Sequence, residues 1–142
     1  MTFSYSLVLI TAAFAQTDRP KPTLFIVGDS TVKNNTAGQQ GWGDPLIKLF
    51  DPEKIKVENH AIGGRSSRTF QNEGRWDRIL GAAKPGDFVL VQMGHNDGGS
   101  LDDPRRARGS LPGIGDETRE IDNPITKSTK SFTLTAGICA ST

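Results

Sequence analysis

The chain has 142 residues, a formal net charge of +1 and a single cysteine, Cys139. That length allows one domain at most, and the near-neutral charge gives no global reason to expect a nucleic-acid partner. One cysteine excludes an internal disulfide and any cysteine-built zinc site. Residues 7–14 form an apolar run, and Ala13-Phe14-Ala15 has the small-x-small form of a signal-peptidase site. Together they predict a signal peptide over residues 1–15 and a secreted or periplasmic protein, against one contrary feature: no Lys or Arg precedes the run. The run is too short to anchor the mature chain stably in a membrane.

Residues 23–27 (TLFIV) are apolar and β-rich and end in Gly28, as a buried parallel strand does. Residues 34–41 are polar and glycine-bearing, hence a loop. Residues 42–50 predict a helix with Trp42, Leu46 and Leu49 (with Phe50) on one side, Pro45 being tolerated in its first turn. Residues 55–59 (IKVEN) alternate as a strand does, and residues 73–83 predict a helix with Trp76, Ile79, Leu80 and Ala83 on one face. After the Pro85-Gly86 turn comes the third and most apolar strand, residues 87–93 (DFVLVQM). Residues 101–126 hold three prolines, several glycines and many charges, and predict a long surface excursion. Strand, helix, strand, helix, strand with short connections predicts a parallel, three-layer α/β sheet with right-handed crossovers.

Three short blocks fall just after the three strands, where open α/β sheets assemble their sites. Gly28-Asp29-Ser30-Thr31 sets a hydroxyl on a tight turn, with Gly28 permitting close backbone approach and Asp29 bracing the turn. Taken alone, this block is more often a helix N-cap. The second block, His60-Ala61-Ile62-Gly63-Gly64-Arg65-Ser66-Ser67-Arg68, offers the Gly64 N–H to a developing oxyanion. Alone, it is more often a strand-to-helix glycine turn. Arg65 is assigned a structural role, whereas Arg68 is open between bracing the loop and meeting an acidic substrate. The third block, Gly94-His95-Asn96-Asp97, adds the Asn96 amide as an oxyanion donor. Its plainer readings are an Asx-turn for Asn96, a satisfied loop histidine for His95 and a loop brace for Asp97. Arg105-Arg106-Ala107-Arg108 reads as a solvated run. If it faces the cleft, it favours a polyanion over a neutral lipid.

In this order the blocks resemble the SGNH/GDSL hydrolases. Gly41-Trp42-Gly43, Gly63-Gly64-Arg65-Ser66-Ser67-Arg68-Thr69-Phe70, Gly98-Gly99-Ser100-Leu101 and residues 115–120 (GDETRE) are similar to the rhamnogalacturonan acetylesterase branch. The resemblance implies a three-layer flavodoxin-like α/β fold with a parallel sheet, of which residues 22–127 hold the N-terminal half, about three strands. It implies Ser30 as nucleophile and an oxyanion hole made of the Ser30 N–H, the Gly64 N–H and the Asn96 side chain. Gly28, Asp29, His95 and Asp97 support them. The implied reaction removes acetyl groups from acetylated, acidic, pectin-type polysaccharide through an acyl-serine, with no metal or organic cofactor. Alternatives are another esterase of the superfamily, acting on lipids, xylan or small acyl esters, or a non-catalytic carbohydrate-binding remnant.

The family's base histidine follows an aspartate by three residues on a late loop. Here only His60 and His95 occur, and neither is so preceded. With the C-terminal catalytic Asp and His absent, the chain as given is expected to be inactive. From Ser128 onward only Lys130 is charged. A helix such as KKHEVVHTYGWYLRKY, typical of bacterial relatives, can be back-translated and one A removed from its opening run. The result reads KSTKSFTLTAGICAST, which is residues 127–142. A frameshift near residue 127 is therefore expected, leaving residues 128–142 without evolved structure and Cys139 without a role. The third strand would then be uncovered, predicting an unstable product that exposes apolar surface.

Overall fold

A computed structural model describes residues 20–113, 116–122 and 131–135. The signal-like segment, Cys139 and most of the tail lie outside the described residues. The element order is β1 (Thr23–Gly28), α1 (Gly43–Ile47), β2 (Lys56–Asn59), α2 (Ser67–Asn72), α3 (Arg75–Ala82), β3 (Phe88–Gln92), β4 (Thr118–Asp122) and β5 (Ser131–Thr135). The first three strands form one parallel sheet in the order β2-β1-β3, with Leu24 opposite both Val57 and Phe88. This is the α/β sheet the sequence predicts, with β1 central because its five residues Leu24 to Gly28 are all buried.

Alternation along β1 builds two cores. Leu24 and Ile26 meet Val32 and Ala61 on one face, with Leu46, Phe50, Ile55 and Val57 packed against them. Phe25 and Val27 meet Phe70 and Ile79 on the other, with Ile62, Trp76, Ala83 and Met93 alongside. At the opposite end Asp87 ties the sheet's entry together: its carboxylate accepts from the Thr23 N–H at 2.7 Å and the Lys84 N–H at 2.8 Å. These bonds, the one from Thr23 foremost, hold its pKa below the ordinary aspartate value.

The helices depart from their predicted extents. The first spans only Gly43–Ile47, because residues 48–50 close tighter turns: the N–H groups of Lys48, Leu49 and Phe50 reach the carbonyls three residues back. Leu46 and Phe50 face the core, but Leu49 is 80% exposed. The single helix over 73–83 is instead two. Gly74 takes φ +62°, a left-handed conformation that ends α2 and starts α3. The α2 helix was not foreseen. Ser66 caps it reciprocally with Thr69, the Ser66 N–H reaching Thr69 Oγ1 at 2.8 Å and the Thr69 N–H reaching Ser66 Oγ at 3.2 Å. Trp76, Ile79 and Ala83 pack inward as predicted, whereas Leu80 is exposed. The excursion over 101–126 contains β4, and β4 pairs antiparallel with β5 inside the tail expected to be unstructured.

Among the described strands β3 forms an edge of its sheet, and Phe88, Val89, Leu90 and Val91 all stay exposed. Parallel strands are ordinarily covered on both faces. The protein is therefore expected to enhance ANS fluorescence and to scatter light increasingly with concentration, and Leu90→Lys to lower both. Wild-type protein that binds no ANS would contradict this. Among the described residues no helix is long and apolar enough to cross a membrane.

Candidate functional site

The first block is held by packing that only glycine permits. A Cβ on Gly28 would lie 2.2 Å from Val32 Cγ2 and 2.9 Å from the Gln92 carbonyl oxygen. Val32 is fully buried, and Gly41 and Gly43 close over it: a Cβ on either would come within 3 Å of Val32 atoms. The Gly41-Trp42-Gly43 segment thus clamps the turn, helped by bonds from the Trp42 N–H to the Thr31 carbonyl and the Gly43 N–H to the Val32 carbonyl. Buried Asp29 folds the turn itself. Its Oδ1 accepts from the Thr31 N–H and from Thr31 Oγ1, each at 2.8 Å. None of these bonds uses the Ser30 hydroxyl, which is left half-buried at the tip of the turn.

The second block lies against the first. The Ile62 N–H bonds to the Gly28 carbonyl at 3.0 Å, and a Cβ on Gly63 would stand 3.5 Å from Ser30 Cβ. Gly64 then adopts φ +76°, which a side chain would strain. Among the described residues neither the Ser30 nor the Gly64 N–H is engaged by another group. Both are free to donate.

The third block docks on the second through two side chains. Asn96 Nδ2 donates to the Arg65 carbonyl at 2.9 Å, and Arg108 Nη1 donates to Asn96 Oδ1 at 2.6 Å and to the Gly64 carbonyl at 3.2 Å. A guanidinium only donates and a carbonyl only accepts, so the amide has one orientation. One Nδ2–H remains for another acceptor. Buried Asp97 accepts from the Ser67 N–H at 3.0 Å, from the Ser67 hydroxyl and from the Ser110 hydroxyl at 2.7 Å. It fastens the block to the first turn of α2, more than the local brace the sequence suggested.

The arginines divide. Arg65 bonds Glu73 through Nε at 3.1 Å and the Gly63 carbonyl at 3.2 Å, the expected structural role. Arg68 is buried and donates to the carbonyls of Leu101 at 2.8 Å and Gly109 at 3.1 Å, so it braces the loop. Burial pulls its pKa below the ordinary arginine value. In the run expected to be solvated, Arg105 and Arg106 are exposed but Arg108 is not. Ala107, at φ +46° and buried, turns Arg108 back onto Asn96. Sequence reading missed that contact, and a positive φ on a non-glycine residue leaves no mark in composition or spacing.

Neither histidine bonds to Ser30. His60 Nε2 lies 2.7 Å from Glu58 Oε2, with its ring centroid 5.6 Å from that of Phe25. Lys56 at 2.6 Å and then His60 hold Glu58 below the usual glutamate range. His95 is exposed and lines a cavity of about 770 Å³ with Thr31, Gln92, Asp97, Ser100 and Arg119. Among the described residues no cluster of three His, Cys, Asp or Glu side chains could hold a metal.

The sequence model described as the GDSL-like Lipase/Acylhydrolase family matches residues 26–139. A protein of Emericella nidulans called rhamnogalacturonan acetylesterase is 39% identical over 128 residues, covering 89% of this chain and 47% of that protein. A Bacillus subtilis protein called probable rhamnogalacturonan acetylesterase YesY is 50% identical over 76 residues, or 52% of this chain and 35% of its own. The crystal structure of YxiM from Bacillus subtilis matches with a TM-score of 0.50 at 40% identity, over 55% of this chain and 23% of that one. The chain thus spans less than half the length of each of these relatives.

Proposed function

Because this chain belongs to the GDSL-like lipase/acylhydrolase family, we propose that it carries the acyl-accepting half of a serine esterase acting on acetylated, pectin-type polysaccharide. The observation that carries this reading is the meeting of three strand ends: Gly63 against Ser30, and Asn96 against the Arg65 carbonyl. The names of the two acetylesterase relatives support the acetyl group and the polymer. The leader-like N-terminus fits a protein exported to where such polymers occur.

Ser30 Oγ attacks the acetyl carbonyl carbon and loses its proton. The carbonyl oxygen becomes an oxyanion that the Ser30 N–H, the Gly64 N–H and the spare Asn96 Nδ2–H stabilise. Collapse of the tetrahedral intermediate breaks the bond to the sugar oxygen, which takes a proton from water as it leaves, and a second water then releases acetate from the acyl-serine. Among the described residues no histidine bonds to Ser30, so in this reading its proton passes to water or to an added base. Donors and binding alone sustain roughly 10³–10⁴-fold acceleration over water.

Imidazole added from solution can act as a general base toward Ser30. Wild-type protein is expected to hydrolyse p-nitrophenyl acetate slowly, and its excess over Ser30→Ala to grow with imidazole and to extend to acetate release from acetylated rhamnogalacturonan. Identical rates for wild type and Ser30→Ala at every imidazole concentration would overturn the esterase reading.

A further inference from the structure

A groove of about 370 Å³ opens beside the Gly63–Gly64 backbone, next to the turn that carries Ser30. Its walls include Arg65, Arg106 and Arg108, with Glu73 as the one carboxylate among them. Glu73 is already neutralised, bonding Arg65 Nε at 3.1 Å and Arg75 Nε at 2.5 Å. The lining is therefore net positive. Two of its arginines are held by backbone: Arg65 by the Gly63 carbonyl, and Arg108 by the Gly64 carbonyl and Asn96. Arg106 is exposed and makes no ion pair among the described residues, so its guanidinium fork is available to a ligand.

We propose that this groove is a subsite for the carboxylate of a uronate residue neighbouring the acetylated sugar, with Arg106 as its main ligand. The proposal deepens the esterase reading and rests on it for the polymer. The planar fork of an arginine matches a carboxylate two bonds at a time, and Arg65 and Arg108, fixed in place, add field without reorganising. A neutral acyl chain would gain nothing from these groups and would desolvate them. The groove thus selects an acidic polymer over a lipid ester.

The test is calorimetric titration of the full chain with oligogalacturonate and with the same oligomer fully methyl-esterified. The acid form is expected to bind, more weakly as salt rises, and the neutral ester not to bind. Arg106→Gln should weaken the acid form roughly tenfold and Arg106→Lys less, because a point charge replaces the fork. Equal affinity for acid and ester, or an Arg106→Gln variant that binds as wild type does, would overturn the subsite. A chain that binds oligogalacturonate through Arg106 yet shows no Ser30-dependent hydrolysis upholds the subsite and overturns only the esterase reading.

Discussion

Replacing Asn96 by alanine is expected to lower the Ser30-dependent, imidazole-supported hydrolysis of p-nitrophenyl acetate by about a hundred- to a thousandfold in kcat. KM should move little. The amide is fully committed on its other sides, with Arg108 fixing Oδ1 and the Arg65 carbonyl taking one Nδ2–H. Its remaining N–H is held by these bonds before any substrate arrives, and in the proposed oxyanion role its effect would fall on charge that exists only in the transition state. The charge-assisted bond from Arg108 draws electron density toward Oδ1 and makes that N–H a better donor. Steady-state kinetics of wild type and variant, each corrected for the Ser30→Ala background, measure the effect. A loss confined to KM, or smaller than about threefold, would show that Asn96 serves the loop and not the oxyanion.

Asp97→Ala is expected to destabilise the fold by about 3 kcal/mol. The carboxylate is 7% exposed and collects three donors: the Ser67 N–H, the Ser67 hydroxyl and the Ser110 hydroxyl. Alanine would leave the Ser67 N–H without its acceptor and the Ser67 and Ser110 hydroxyls, 3.1 Å apart, with only each other, and each bond to a charged acceptor contributes roughly 1.5–3 kcal/mol. The loss is large against the roughly 5–15 kcal/mol by which domains are stable. It would also free the first turn of α2, whose N-terminal N–H groups have few other partners. Asp97→Asn keeps one acceptor oxygen and should cost less. Urea unfolding of the three proteins gives the comparison, and matching midpoints for wild type and Asp97→Ala would refute this role.

The positions of β1, β2 and β3 and of the three blocks after them were legible in the chain alone. A β-branched run ending in glycine is a local signal, and a strand buried on both faces is apolar nearly throughout. The need for Gly28, Gly41 and Gly43 was legible only in part. Gly28 was legible as a point of close backbone approach and Gly41-Trp42-Gly43 only through the family resemblance, but the reason is the fully buried Val32, which all three approach. Helical periodicity was less dependable. It placed Leu49 and Leu80 inside, yet both are exposed, because α1 tightens after Ile47 and α3 begins afresh at Gly74.

By itself, then, the sequence determined which residues stand at the three strand ends and which of them carry a hydroxyl or a spare amide. Those properties depend on near neighbours along the chain. Only the tertiary structure decided that Arg108 would hold Asn96 and Gly64, that Asp97 would cap the helix begun by Ser67, and that β5 would pair with β4. These partners come from separate segments, up to 44 residues apart for Arg108 and Gly64. Whether such groups meet depends on the path the folded backbone takes between them, to which no local propensity or spacing responds.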